Sequence, residues 1–79
     1  MVRMTRVQAL KGHRLHVEFS DGVSGEFDLS TRLFGPMFLP LQDEGLFAQV
    51  SIDDFGAPVW PNGADLGPEF LHDNVRVTA

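Results

Sequence analysis

Groups able to do chemistry concentrate in one run of this 79-residue chain, Trp60-Pro61-Asn62-Gly63-Ala64-Asp65, which joins the only tryptophan to an amide and a carboxylate. An indole beside polar groups has the make-up of a binding anchor. The ring supplies contact area and its neighbours fix orientation. The same residues also have a structural reading: Trp60 fills a thin core, Asn62-Gly63 makes a turn, and Asp65 accepts bonds from the amides that open a following helix. The structural reading takes precedence, because the single tryptophan of a small domain has packing to do. A binding role for Trp60, Asn62 and Asp65 then depends on whether Trp60 or Asn62 reaches solvent. Asp21 and Asp28 are secondary binding candidates.

The other reactive side chains assemble into no recognisable centre. His13, His16 and His72 do not fall at metal-ligand spacing. His16 and Glu26, as cross-strand neighbours, would supply two ligands where zinc takes three or four from protein. Asp53, Asp54 and Asp21 adjoin turns, where acids bond the local backbone. Ser20, Ser24, Ser30 and Ser51 have no activating neighbour in sequence, and Gly22 and Gly25 precede no helix that could cradle a phosphate. Accordingly, no catalytic residue, metal or cofactor is assigned. Asp65 with a histidine such as His72 is the one combination that would support an enzyme or small-ligand binder.

The elements that must hold these residues follow from periodicity. Leu15, Val17 and Phe19 alternate with polar residues, as do Val23, Phe27 and Leu29. A two-residue Asp21-Gly22 loop would set Phe19 opposite Ser24 and bury the wrong face. A three-residue Ser20-Asp21-Gly22 loop instead pairs Phe19 with Val23, Val17 with Gly25 and Leu15 with Phe27. On the outer face Arg14 then meets Asp28 and His16 meets Glu26. The first strand, Arg3 to Leu10, joins through Lys11-Gly12-His13, with Val7 opposite Val17, Ala9 opposite Leu15 and Thr5 opposite Phe19.

Beyond the meander, Ser30 to Phe34 reads as a helical turn capped by Ser30, and Met37 to Leu41 as an apolar segment laid over the open face of the sheet. Asp43-Glu44 opens a short helix ending near Ala48. A second hairpin around Asp54-Phe55-Gly56 sets Val50 opposite Trp60 and Ile52 opposite Pro58. Pro68 then begins a last helix whose Phe70 and Leu71 face the sheet. Residues 75–79 fit either a final strand or a tail. The expected architecture is α+β: one compact domain over residues 1–79, an antiparallel three-stranded meander followed by short helices and a second β-hairpin.

Composition narrows the function classes. The chain is 43% hydrophobic and 22% charged, which suits a globular domain, and it has no cysteine, which removes disulfides and thiolate chemistry. With no apolar run of signal-peptide or membrane-spanning length, a cytoplasmic protein without membrane partners is expected. The net charge of −5 is uneven. Arg3, Arg6, Lys11 and Arg14 stand in the first 16 residues without an acid, whereas all eleven carboxylates lie in residues 17–74 against Arg32 alone. An acidic surface repels phosphate backbones, so nucleic-acid binding would rest on that basic end, much of which the neighbouring strand neutralises.

One resemblance spans nearly the whole chain. It is carried by Arg14-Leu15, Val17, Phe19-Ser20-Asp21-Gly22, Gly25 and Asp28-Leu29, then by Phe38, Leu41, Asp43 and Phe47. Its most specific part is Trp60-Pro61-Asn62-Gly63-Ala64-Asp65-Leu66 with Pro68 following. In these residues the chain resembles a small bacterial family catalogued as domain of unknown function 2442. The resemblance implies a compact α+β fold with a meander, short helices and further strands. Some members look to be joined to a helix-turn-helix domain, and others stand beside a second small protein, a setting that suggests toxin-antitoxin pairs. The family has no established catalytic residues to carry over. Gly67 departs from an acid often found before the proline, which implies weaker capping of the last helix. The resulting expectation is a protein-interaction or regulatory accessory module, antitoxin-like in setting, with a protein partner encoded nearby.

Overall fold

A computed structural model describes residues 2–77. Strands β1 (Met4–Leu10), β2 (Arg14–Phe19) and β3 (Ser24–Asp28) form the antiparallel meander. The pairing of β2 with β3 sets Leu15 against Phe27, Val17 against Gly25, His16 against Glu26 and Arg14 against Asp28, which is the register that parity requires. The hairpin closes through three residues: the Phe19 amide donates to the Val23 carbonyl at 2.8 Å, and Gly22 takes a φ of 90°. Leu15, Val17, Phe19 and Phe27 are buried, while Arg14 faces solvent.

One register expectation fails at β1. Val7 faces Val17 and Ala9 faces Leu15 as expected, but Met4, not Thr5, lies opposite Phe19, with an irregularity between Met4 and Arg6. An unbroken ladder would turn Met4 outward. The extra residue reverses the parity, so the methionine enters the core and Thr5 stays exposed, its hydroxyl donating to the Glu18 carbonyl at 3.2 Å.

The segment after β3 also differs from expectation. Residues 30–34 form no helix; the Arg32 amide closes a turn onto the Leu29 carbonyl, and the carboxylate of Asp28, not the Ser30 side chain, accepts the Ser30 amide at 2.8 Å. One isolated turn gains too few bonds to offset helix nucleation. Leu33 is buried beside it. Nor does the apolar stretch 37–41 lie wholly on the sheet: Leu41 is fully buried, but Met37 and Leu39 are exposed. A 3-10 turn at Leu39–Gln42 leads into α1 (Glu44–Phe47), which is capped by Asp43, whose carboxylate accepts the Leu46 amide at 2.9 Å.

Strands β4 (Ser51–Ile52) and β5 (Pro58–Val59) pair with Ile52 opposite Pro58. Their turn docks on β1, where the Met4 amide donates to the Gly56 carbonyl at 2.9 Å. Helix α2 (Pro68–Asn74) follows, and β6 (Arg76–Val77) then joins the sheet beside β3, in the order β1-β2-β3-β6. The tail that sequence left open is thus a strand as far as Val77, and residues 78 and 79 lie outside the described residues. In α2 only Leu71 is fully buried; Phe70 keeps 41% of its surface exposed, because adjacent helical residues point about 100° apart and cannot share one face.

Candidate functional site

Trp60 sits inside the molecule at 2% exposure, and its indole N–H donates to the Phe47 carbonyl at 2.9 Å. The Phe47 ring lies tilted against it at 5.8 Å, and the Phe38 ring meets it edge-on at 6.3 Å. The tryptophan therefore ties α1 and the loop before it to the second hairpin, and its side chain offers nothing to solvent.

Asn62, by contrast, is exposed and engaged at both ends of its amide. Its nitrogen donates to the Met37 carbonyl at 2.8 Å and its oxygen accepts from the Ala64 amide at 3.2 Å. The turn around Gly63 is so clipped to the loop at residue 37, and a Cβ on Gly63 would come within 3.4 Å of the Met37 methyl. That loop is tightly wound, with the Leu39 amide donating to the Gly35 carbonyl at 2.9 Å. It presents three large apolar side chains to water: Phe34 at 71%, Leu39 at 53% and Met37 at 44% exposure. Sequence reasoning assigned the segment to the core. A glycine-proline pair just before it was the available signal that the chain turns outward here.

Asp65 does not cap the last helix as expected. Pro68 occupies the first helical position and fixes Gly67 as N-cap, which makes no side-chain bond. A capping carboxylate must come from that residue to reach the second or third amide. Asp65 lies two residues earlier, bridged to Val59, and its exposed carboxylate makes no hydrogen bond or ion pair among the described residues.

Asp21 and His72 come together across the fold, with His72 Nε2 and Asp21 Oδ2 2.8 Å apart and the imidazole edge-on to Phe19 at 4.9 Å. Asp21 also accepts the Val23 amide at 3.0 Å. That amide first, and His72 second, hold its carboxyl below the ordinary aspartate value. His72 is thus paired with Asp21, not with Asp65. Asp28, besides serving the Ser30 amide, lines a groove together with Arg14, Glu26 and Arg32. No group of three His, Asp or Glu side chains among the described residues is placed to hold a metal ion. Of the basic end, Arg3 donates to the Asp54 carbonyl at 3.0 Å, and Arg14 is ion-paired to Glu26 at 2.7 Å.

The family model DUF2442, a protein of unknown function, matches residues 4–76. The chain belongs to the DUF2442 family. No curated protein and no solved structure matches it significantly. Within this DUF2442 chain the match takes in the meander, the exposed loop, the Trp60 to Asp65 run and both helices. No helix among the described residues is long and apolar enough to cross a membrane.

Proposed function

We propose that this DUF2442 domain is a protein-interaction module, docking a partner on the surface formed by the Phe34 to Leu39 loop and the Asn62-Gly63 turn clipped to it. The carrying observation is the exposure of Phe34, Met37 and Leu39 on one loop that hydrogen bonds hold in shape. Water-facing apolar groups clustered on a preorganised backbone gain most from association, since little ordering cost remains to be met. In this reading Trp60 braces the surface from beneath, and Asn62 and Asp65 belong to its polar rim. Asp43, Glu44 and Asp65 are exposed, and the chain carries a net −5. The favoured partner is therefore a protein with an apolar contact bordered by basic groups. The module acts as a regulatory accessory in a bacterial cytoplasm, antitoxin-like in that its partner is encoded beside it.

The test is co-expression with the adjacent gene product and purification through a tag on this chain. The wild type is expected to retain the partner stoichiometrically, and the double variant Phe34→Ser/Leu39→Ser to lose it while its far-ultraviolet spectrum and unfolding midpoint stay unchanged. A double variant that retains the partner fully, or a wild type that stays monomeric and unaccompanied, would contradict the proposal.

A further inference from the structure

The loop that carries Phe34, Met37 and Leu39 is wound by local backbone bonds, from the Leu39 amide to the Gly35 carbonyl and from the Leu41 amide to the Phe38 carbonyl. These bonds shape the loop without joining its ends. One side chain joins them. The Gln42 amide nitrogen donates to the Leu33 carbonyl at 2.8 Å, nine residues back in the chain. Gln42 is itself held from the first hairpin, where His13 Nε2 lies 3.0 Å from the Gln42 carbonyl and the imidazole meets Phe47 edge-on at 5.0 Å. A carbonyl oxygen can only accept, so that nitrogen carries the hydrogen. His13 holds this place at a φ of 57°, the one positive φ on a residue other than glycine among the described residues. A side chain makes that backbone conformation costly, and the bond to Gln42 gives the imidazole a task that glycine could not perform there.

We propose that Gln42 is the clasp of the docking loop, positioned by His13, and that these two residues set partner affinity by keeping the loop closed. The inference rests on the docking reading above and adds where that site is controlled. A loop already closed has its ordering cost met before a partner arrives. When the clasp is open, each binding event must first close the loop, and the apparent affinity falls by the fraction of chains that are closed. Asn62 holds the middle of the loop through the Met37 carbonyl, so loss of the clasp frees the two ends and leaves the centre attached.

The test is amide hydrogen exchange on the full-length chain without partner, reading Leu39 in the loop and Val17 in the central strand β2 as the report on global opening. Gln42→Met, which fills similar space without a donor, is expected to speed Leu39 exchange by about fivefold and to leave Val17 unchanged. Gln42→Lys, which keeps an N–H donor of comparable reach, should stay near the wild type. His13→Asn, which accepts the left-handed turn but falls short of Gln42, should behave as Gln42→Met does. In the co-purification described above, partner retention should fall in the same variants. An unchanged Leu39 rate in Gln42→Met, or Leu39 and Val17 accelerating together, overturns the clasp whatever any partner does. Full retention of the partner by a variant whose loop is shown to open overturns the control of affinity. A wild type without a partner removes the docking reading and the affinity claim with it, while the exchange rates still decide the clasp. If Gln42→Met fails to fold, His13→Asn decides on the same amide.

Discussion

At the scale of single residues, side chains that look like recognition groups in sequence are here divided between scaffold and surface. Trp60 is scaffold. Replacing it with phenylalanine removes the donor to the Phe47 carbonyl and leaves a void between α1 and the second hairpin. The expected loss is about 2–4 kcal/mol, a large share of the stability of so small a domain, and urea unfolding would measure it. Asp21 makes a different prediction. Its carboxyl is held below its ordinary value in the folded state by the Val23 amide and His72. Its contribution is therefore present above the unfolded-state pKa, near 4, and is lost as pH falls through the lower folded value. Asp21→Asn should flatten that part of the acid branch of a stability-against-pH curve, with the two curves converging in strong acid. Curves that run parallel throughout would show that Asp21 carries no linkage. The sequence marked Asp21 only as a turn acid, since nothing local reveals a histidine fifty-one positions away.

At the scale of elements, the meander was readable because parity leaves one register in which Leu15, Val17 and Phe19 share a face with Phe27. The bulge at Thr5 was not readable, because it depends on Met4 finding room in a core built by distant segments. Capping was half readable: Asp43 serves α1 as its position suggests, whereas Asp65 stands too early to serve α2. Since Gly67 has extended backbone at φ −71° and ψ 130° and a Cβ there would meet the Phe70 Cβ at an ordinary contact distance of 3.9 Å, Gly67→Asp should stabilise the domain by about 0.5–1 kcal/mol. A fall in melting temperature would contradict this assignment of the cap. The second hairpin makes the opposite demand on a glycine. Gly56 has a φ of 78°, and a Cβ there would lie 2.8 Å from that of Arg3. Gly56→Ala should cost about 2 kcal/mol or more and loosen β1 from the turn, visible as faster exchange of the Met4 amide.

At the scale of the whole molecule, the described residues form a four-stranded sheet, two short helices and a two-stranded hairpin around a core that includes Trp60, and they leave Phe34, Met37 and Leu39 of one loop uncovered, with Phe55 exposed separately on the turn of the second hairpin. The α+β class and the family were legible from residues 14–29 and 60–68, where turn chemistry and an unbroken motif coincide. The docking surface was not, because Met37 and Leu39 have the composition of core residues and only the packing of Leu41 beneath them shows which side faces water. The central claim, that a partner docks on this loop, is tested most directly by placing a photo-crosslinking amino acid at position 34, at position 39 and, on the solvent face of the sheet, at position 8, in the organism of origin. The account predicts one common protein joined at 34 and 39, absent at 8, and displaced from position 39 by the additional change Phe34→Ser. Cross-links at position 8 alone, or the same product at all three positions, would contradict it.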